Sequence, residues 1–344
     1  MTRRVLLLSD DFGRRYCLGP EALRRLDTLG QVTHLPVDSA PHRIAAHLSD
    51  SWALVVAGWD TPVPPLGGTE LDDLPGLSFI GCGQDGRWRF LDVPAALDRG
   101  IRCVDASGAM GADVAEFALG LLLSCLRDIP AAHHRLAAGG WIDEPAPAHR
   151  FTSLRGRRVG IVGMGGIGRT LVELLRPFGC QVEVSSSYLT VEQAADLGVR
   201  LRSVPELCAS ADVLVVATQP RRDTAGVVDA RCVGALRRDA VVVLVGRAAT
   251  VDTTALYERV RRGELRLGID VYDTEPLPAE HPLRTAPGVV HTPHIGGLTV
   301  EANQRIFAAV VADLARHSQG GQPRWATSAD RYRLVAAGRA RRAR

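Results

Sequence analysis

The chain contains no lysine. All 41 of its cationic side chains are arginine, which excludes a Schiff-base lysine, with it the usual pyridoxal-phosphate chemistry, and any phosphate loop built on a lysine. Cysteine is sparse: Cys17, Cys82, Cys103, Cys125, Cys180, Cys208 and Cys232 are scattered, odd in number and never in a CxxC pair. They read as small buried hydrophobes in a reducing compartment rather than as a disulfide framework. Long apolar runs are also wanting. The opening MTRRVLLLSDDFG is too short in apolar residues for a signal peptide, because Asp10 and Asp11 interrupt it, and no segment is expected to reach transmembrane length. These absences predict a cytoplasmic protein with no membrane partner.

Charge says little more. The net charge is +3, but the final GRARRAR alone carries Arg339, Arg341, Arg342 and Arg344, so the remainder is close to neutral. A basic end of this kind reads as a solvated tail, and no nucleic-acid partner is expected.

What is present points to an α/β protein. A chain of 344 residues can bury two cores, and 46% apolar residues with 35 glycines and 20 prolines fit a globular protein rich in tight turns. RVLLLSD, QVTHLP, ALVVAGWD, LSFIGC and IRCVDAS read as strands, with GPEALRRLDTLG and VPAALDRG as helices among them. This alternation implies a parallel sheet covered on both faces, over about residues 1–104. The apolar segment ADVAEFALGLLLSCLRDIPAAHHRLAAGGW then breaks the rhythm and predicts a helix buried on most sides. Six further strands follow: RRVGIVG, QVEVSS, ADVLVVAT, AVVVLVG, LRLGIDV and GVVHT. They suggest a dinucleotide-binding sheet. TVEANQRIFAAVVADLARHSQGG has helical spacing up to Gly320 and Gly321.

The strongest local signal is VGIVGMGGIGRTLVELL. Gly163, Gly165 and Gly168 form GxGxxG directly after a strand and at the opening of a helix, so the amides of Gly166, Ile167 and Gly168 would face a pyrophosphate. Ligands of an open parallel sheet gather beyond the carboxyl ends of its strands. Arg247 follows AVVVLVG, Glu275 follows LRLGIDV by a few residues, and His294 follows GVVHT. Each alone has an ordinary reading as a strand-end, turn or core residue; together they put a cation, an acid and an imidazole at one edge. His291 and His294 have a zinc-compatible spacing, but no third ligand completes a site and no metal is expected.

GIVGMGGIG, ADVLVVATQP, VGRAATVD, GIDVYDTEPLP and TPHIGG together resemble the NAD-dependent D-2-hydroxyacid dehydrogenases. ADVAEFALGLLLSCLR with the later GGW is similar to that family's entry into its cofactor domain. The resemblance implies two doubly wound parallel-sheet domains: a flavodoxin-like substrate domain, residues 1–104 completed by 299–344, and a Rossmann dinucleotide-binding domain, residues 105–298. It implies that Arg247 holds the substrate carboxylate, that His294 is the general acid/base, and that Glu275 pairs with His294 and favours its imidazolium. It further implies that Asp270 binds the nicotinamide carboxamide, that the substrate is a 2-oxo or D-2-hydroxy acid, and that the chain forms a homodimer near residues 112–142.

Departures from the family pattern are informative. Leu244 precedes Arg247 where a small polar residue is usual, and Ala248 and Ala249 follow it where glycine is usual, which reduces backbone freedom. The carboxylate-gripping glycine loop of the first domain is replaced by CGQDGRWRFLD, leaving Gly83 and Gly86, with Arg87 as a further substrate-binding candidate. Arg87 and Arg89 could meet a second anionic group; the plainer reading puts Trp88 under the domain interface and the arginines in solvent. In VEVSSSYLT, Ser186 stands where the ribose-binding acid would lie, which removes a barrier to NADP and leaves NAD and NADP both open. Arg221 or Arg222, after the next core strand, could reach a 2′-phosphate. The alternative reading is a dinucleotide-sensing, corepressor-like protein with little turnover.

Overall fold

The structure, a computed structural model, describes residues 3–58, 63–83, 88, 90–141, 151–221, 223–329 and 332. The chain divides into one compact unit comprising Met1–Met110 with Leu298–Ala337, and a second comprising Gly111–Gly297.

The first unit follows the predicted alternation. Its elements are β1 (Arg4–Ser9), α1 (Pro20–Asp27), β2 (Gln31–Pro36), α2 (Pro41–Leu48), β3 (Ala53–Ala57), α3 (Gly68–Asp72), β4 (Phe79–Cys82), α4 (Val93–Asp98) and β5 (Arg102–Asp105). The strands are parallel in the order β2-β1-β3-β4-β5, the flavodoxin-like arrangement. Strand β1 is buried from Val5 to Ser9 and β3 throughout, as expected of strands covered on both faces. Proline opens α1 and α2, where a missing N–H costs nothing.

The second unit begins with the long apolar segment, and here the structure corrects the sequence reading. That segment forms two helices, α5 (Gly111–Arg127) and α6 (Ile129–Ala137), broken at Asp128, which takes φ 50° just before Ile129 and Pro130. Proline cannot continue a helix from within, and aspartate tolerates the left-handed turn. Nor is the segment buried on most sides. Val114, Ala118, Leu121, Leu122 and Cys125 form one buried stripe on α5, while α6 buries no residue and leaves Ile129 and Leu136 more than half exposed. The run Ala106–Arg127, which contains an 18-residue window of mean hydropathy 1.6, is long and apolar enough to cross a membrane by length and composition, contrary to the expectation that no segment would be. In this fold the apolar stripe of α5 lies against the sheet, with Leu121 packed on Gly268.

The remaining elements of this unit are β6 (Arg158–Val162), α7 (Gly166–Leu175), β7 (Gln181–Ser185), α8 (Val191–Asp196), β8 (Arg200–Leu201), α9 (Val204–Ser210), β9 (Val213–Val216), α10 (Ala230–Ala235), β10 (Val241–Leu244), α11 (Thr253–Arg261), β11 (Arg266–Ile269) and β12 (Val289–His291). Seven parallel strands result, in the order β12-β11-β10-β9-β6-β7-β8, one more than the six expected. The addition is β8, a two-residue edge strand too short to show periodicity. The order reverses between β6 and β9, so the crevice of the sheet opens there, beside the glycine loop.

The last helix, α12 (Val300–Ser318), returns to the first unit. Ile306, Phe307, Val310, Val311 and Leu314 enter a core shared with Val5, Leu7, Val55 and Phe79. Each such burial stabilises by roughly 1.5–3 kcal/mol, so α12 is integral to that unit. Asp313, fully buried on the same helix, accepts the amides of Arg324 at 2.8 Å and Trp325 at 2.7 Å. The segment held in this way pairs with the edge of β5: the Asp105 amide donates to the Trp325 carbonyl, and the Thr327 amide to that of Cys103.

Candidate active site

The loop between β6 and α7 is shaped by its glycines. Gly163 has φ +103°, a conformation L side chains rarely adopt, and a Cβ on Gly168 would come within 2.1 Å of the Gly163 carbonyl oxygen. Gly165 is the N-cap of α7 with no side-chain cap, and a Cβ there would project into open space. The first amides of α7, those of Gly166, Ile167 and Gly168, are therefore left for an outside acceptor, with no side chain at Gly165 to obstruct its approach. This fits a dinucleotide pyrophosphate.

Strand β7 ends at Ser185. The Oγ of Ser186 accepts the Tyr188 amide at 3.1 Å, and the guanidinium of Arg221 lies 4.8 Å from the centre of the Tyr188 ring. Arg221 comes from the loop after β9. Strands β7 and β9 are the two neighbours of β6, so this contact joins the loops that flank the glycine turn. Glu183, the acid inside β7, is engaged by Arg202 and Ser210 and is not the missing ribose acid.

At the same carboxyl edge, the loops after β10, β11 and β12 bring Arg247, Glu275 and His294 together. Nδ1 of His294 lies 2.8 Å from Oε2 of Glu275, and Oε1 of Glu275 accepts the Tyr272 amide at 2.9 Å. Partial burial opposes ionisation of Glu275, but the His294 hydrogen bond, the Tyr272 amide and the charges of His294 and Arg247 outweigh it, so the carboxyl titrates below its ordinary range. An ionised carboxylate only accepts, so Nδ1 carries a proton and Nε2 is left for chemistry.

His294 itself has φ +58°, unusual for a side chain of its size. Asp270, almost wholly buried, holds the bend: it accepts the Thr292 hydroxyl at 2.7 Å, the Ile295 amide at 2.9 Å and the Gly296 amide at 2.9 Å. Its carboxylate has about four acceptor directions, and three are taken. Asp270 is first of all the anchor of the His294 loop, a role without any local signature in the sequence. Tyr272 braces the same loop by donating to the Thr292 carbonyl at 2.9 Å, and burial pushes its hydroxyl up to about 12.

Residues 119–296 match the family described as D-isomer specific 2-hydroxyacid dehydrogenase, NAD binding domain. The chain belongs to this family. It is 30% identical over 298 residues to the D-3-phosphoglycerate dehydrogenase of Methanocaldococcus jannaschii, covering 86% of this chain and 55% of that one. It spans about half the length of the curated relatives it matches. Among solved structures it is similar to the NADPH-dependent glyoxylate/hydroxypyruvate reductase of Sinorhizobium meliloti, with 26% identity, TM-score 0.72 and coverage of 96% of this chain and 98% of that one. The D-mandelate dehydrogenase of Rhodotorula graminis shares the fold, with 20% identity, TM-score 0.80 and coverage of 95% and 98%.

Against this family background the unusual residues around Arg247 cause no strain. Arg247 is extended (φ −145°, ψ 138°), Ala248–Thr250 form a short 3-10 turn, and the Thr250 hydroxyl donates to the Arg247 carbonyl at 2.7 Å. Neither alanine needs positive φ. Leu244 is fully buried in the core of its unit.

In the first unit of this family member, a Cβ on Gly83 would come within 2.1 Å of Ile306, so close packing of α12 accounts for that glycine. Trp88 is 4% exposed and packs in the unit's own core with Phe90, rather than under an interface as the sequence suggested. Gly86, Arg87, Arg89 and Arg222 lie outside the described residues. Six of the seven cysteines are buried, and burial pushes the thiols of Cys17, Cys103, Cys125 and Cys208 up to about 12.

Proposed function

We propose that this chain is a nicotinamide dinucleotide-dependent oxidoreductase that interconverts a 2-oxo acid and its D-2-hydroxy acid. The observation that carries the reading is the His294–Glu275 pair at 2.8 Å, at the same sheet edge as the glycine loop of β6. A dinucleotide bound by Gly163, Gly165, Gly166, Ile167 and Gly168 supplies the hydride.

The chain's own residues do the rest. Arg247 holds the substrate carboxylate and draws electron density from the neighbouring carbonyl. Nε2 of His294 gives its proton to the carbonyl oxygen in reduction and takes the hydroxyl proton in oxidation. Glu275, kept ionised, stabilises the imidazolium in both directions. Asp270 fixes the loop so that the ring cannot swing out of place. A sensing protein has no need of a proton donor held in this way, which disfavours the corepressor-like alternative.

Ser186 neither holds a ribose 2′-hydroxyl as an acid would nor repels a 2′-phosphate, so both NADH and NADPH are admitted. The exposed apolar side chains of Ile129, Leu136 and Trp141 support a homodimer formed near residues 112–142.

A spectrophotometric screen of 2-oxo acids with NADH and NADPH in parallel tests this function. Oxidation of reduced cofactor with at least one acid, giving the D-hydroxy product, is expected. Tight cofactor binding without turnover on any acid would favour the sensing alternative.

A further inference from the structure

The contact between Arg221 and Tyr188 has no role in the chemistry above, yet it closes over the place where dinucleotides are told apart. In a sheet of this type the ribose 2′-position of the adenosine half lies at the end of the strand after the glycine-loop helix, here β7. Three observations meet at that point. Ser186 stands where an acid is usual; its Oγ accepts the Tyr188 amide, which leaves its hydroxyl proton free to donate. Tyr188 is 63% exposed, a large apolar surface to leave in solvent without use. Arg221 lies over that ring at 4.8 Å, and among the described residues no carboxylate pairs with its guanidinium.

The base of Arg221 is fixed independently. Its amide donates to Thr224 Oγ1 at 2.8 Å, its carbonyl accepts the Ala225 amide at 2.9 Å, and the Thr224 hydroxyl donates to the Gln219 carbonyl at 2.6 Å. A guanidinium stacked on an aromatic face keeps its N–H edge pointing outward in the plane, the arrangement that binds phosphate with two parallel hydrogen bonds. Arg202, just beyond β8, is committed to Glu183 and Glu206.

We propose that Arg221, held by Tyr188 and assisted by the Ser186 hydroxyl, binds the 2′-phosphate of NADPH and makes this chain selective for NADP(H) over NAD(H). The proposal rests on the reading of the β6 loop as a dinucleotide site. The selecting cation comes from the loop after β9, not from the strand end that carries the serine. Tyr188 is a positioning residue; Arg221 is the one that touches the phosphate.

Calorimetric titration of the full chain with NADPH, NADH, adenosine 2′,5′-bisphosphate and adenosine 5′-monophosphate tests it. NADPH should bind at least about tenfold more tightly than NADH, the effect of one or two charge-assisted hydrogen bonds, and the bisphosphate should exceed the monophosphate by a similar factor. Arg221→Ala should abolish both preferences while changing NADH affinity less than about twofold. Tyr188→Phe should keep the preference and Tyr188→Ala should reduce it, a split that distinguishes stacking from the hydroxyl. Ser186→Asp should reverse the preference. Equal affinity of the wild type for NADPH and NADH, or equal losses for both in Arg221→Ala, would overturn the proposal. Failure of every nucleotide to bind would overturn the dinucleotide reading itself.

Discussion

Nδ1 of His294 lies 2.8 Å from Oε2 of Glu275, and the other oxygen of that carboxylate takes the Tyr272 amide. The acid thus has one oxygen for the backbone and one for the imidazole. Glu275→Gln keeps the shape and removes the charge that favours imidazolium. Turnover in the reducing direction should fall about tenfold or more, because the charge opposite the proton donor is gone while the hydrogen-bond geometry is kept. Steady-state rates of both forms would show this; equal turnover would remove Glu275 from the proton path.

Asp270 is predicted to act through the loop it anchors. Asp270→Asn presents an amide where Ile295 and Gly296 both offer N–H groups, so at least one charge-assisted bond is lost. A destabilisation of about 2–4 kcal/mol follows from bonds of this kind. Amide hydrogen exchange at Ile295 and Gly296 should accelerate in the variant, with turnover falling as the His294 loop loosens. Unchanged exchange would mean that the loop holds its bend without the carboxylate.

Asp313 offers a test of the first unit. Asp313→Ala leaves the amides of Arg324 and Trp325 without their acceptor and frees the segment that lies on β5. A loss of about 2–5 kcal/mol in stability is expected, read by denaturant unfolding, with the segment around residue 325 becoming sensitive to protease. Cofactor binding by the second unit should change little.

Acid should weaken the fold before any carboxylate titrates. Burial lowers the folded-state values of His34, His291 and His317 below the ordinary 6.5, with nearby Arg14, Arg284 and the pair Arg102 and Arg3 adding to the effect. The unfolded chain then binds protons that the folded chain refuses. The stability these groups contribute is fully present above pH 6.5 and is lost as pH falls through their lowered folded values. Melting temperature should decline from about pH 6.5 downward, and replacing His34 and His317 with asparagine should flatten that decline.

The strands were legible because most are continuous apolar runs bounded by glycine, proline or aspartate. So was the glycine turn, which needs a strand before it and a helix after it. Arg247, Glu275 and His294 could be found as strand-end residues of one edge, though not the pairing distance. Other features had no local signature. Strand β8 is two residues long; the break at Asp128 was masked by apolar density on both sides; Asp270 reads as an acid at a strand end until its bonds to residues 292–296 are seen. The Arg221–Tyr188 contact joins residues 33 positions apart in sequence across the intervening β6 turn, a relationship that periodicity does not carry.

In the proposed reaction His294 moves the proton while the glycine loop holds the cofactor. Single-turnover reduction of an accepted 2-oxo acid by His294→Ala, with cofactor affinity measured on the same sample, tests it most directly. The hydride-transfer rate should fall about a hundredfold or more, with cofactor affinity within about twofold of the wild type. A variant that reduces the acid at the wild-type rate would contradict it.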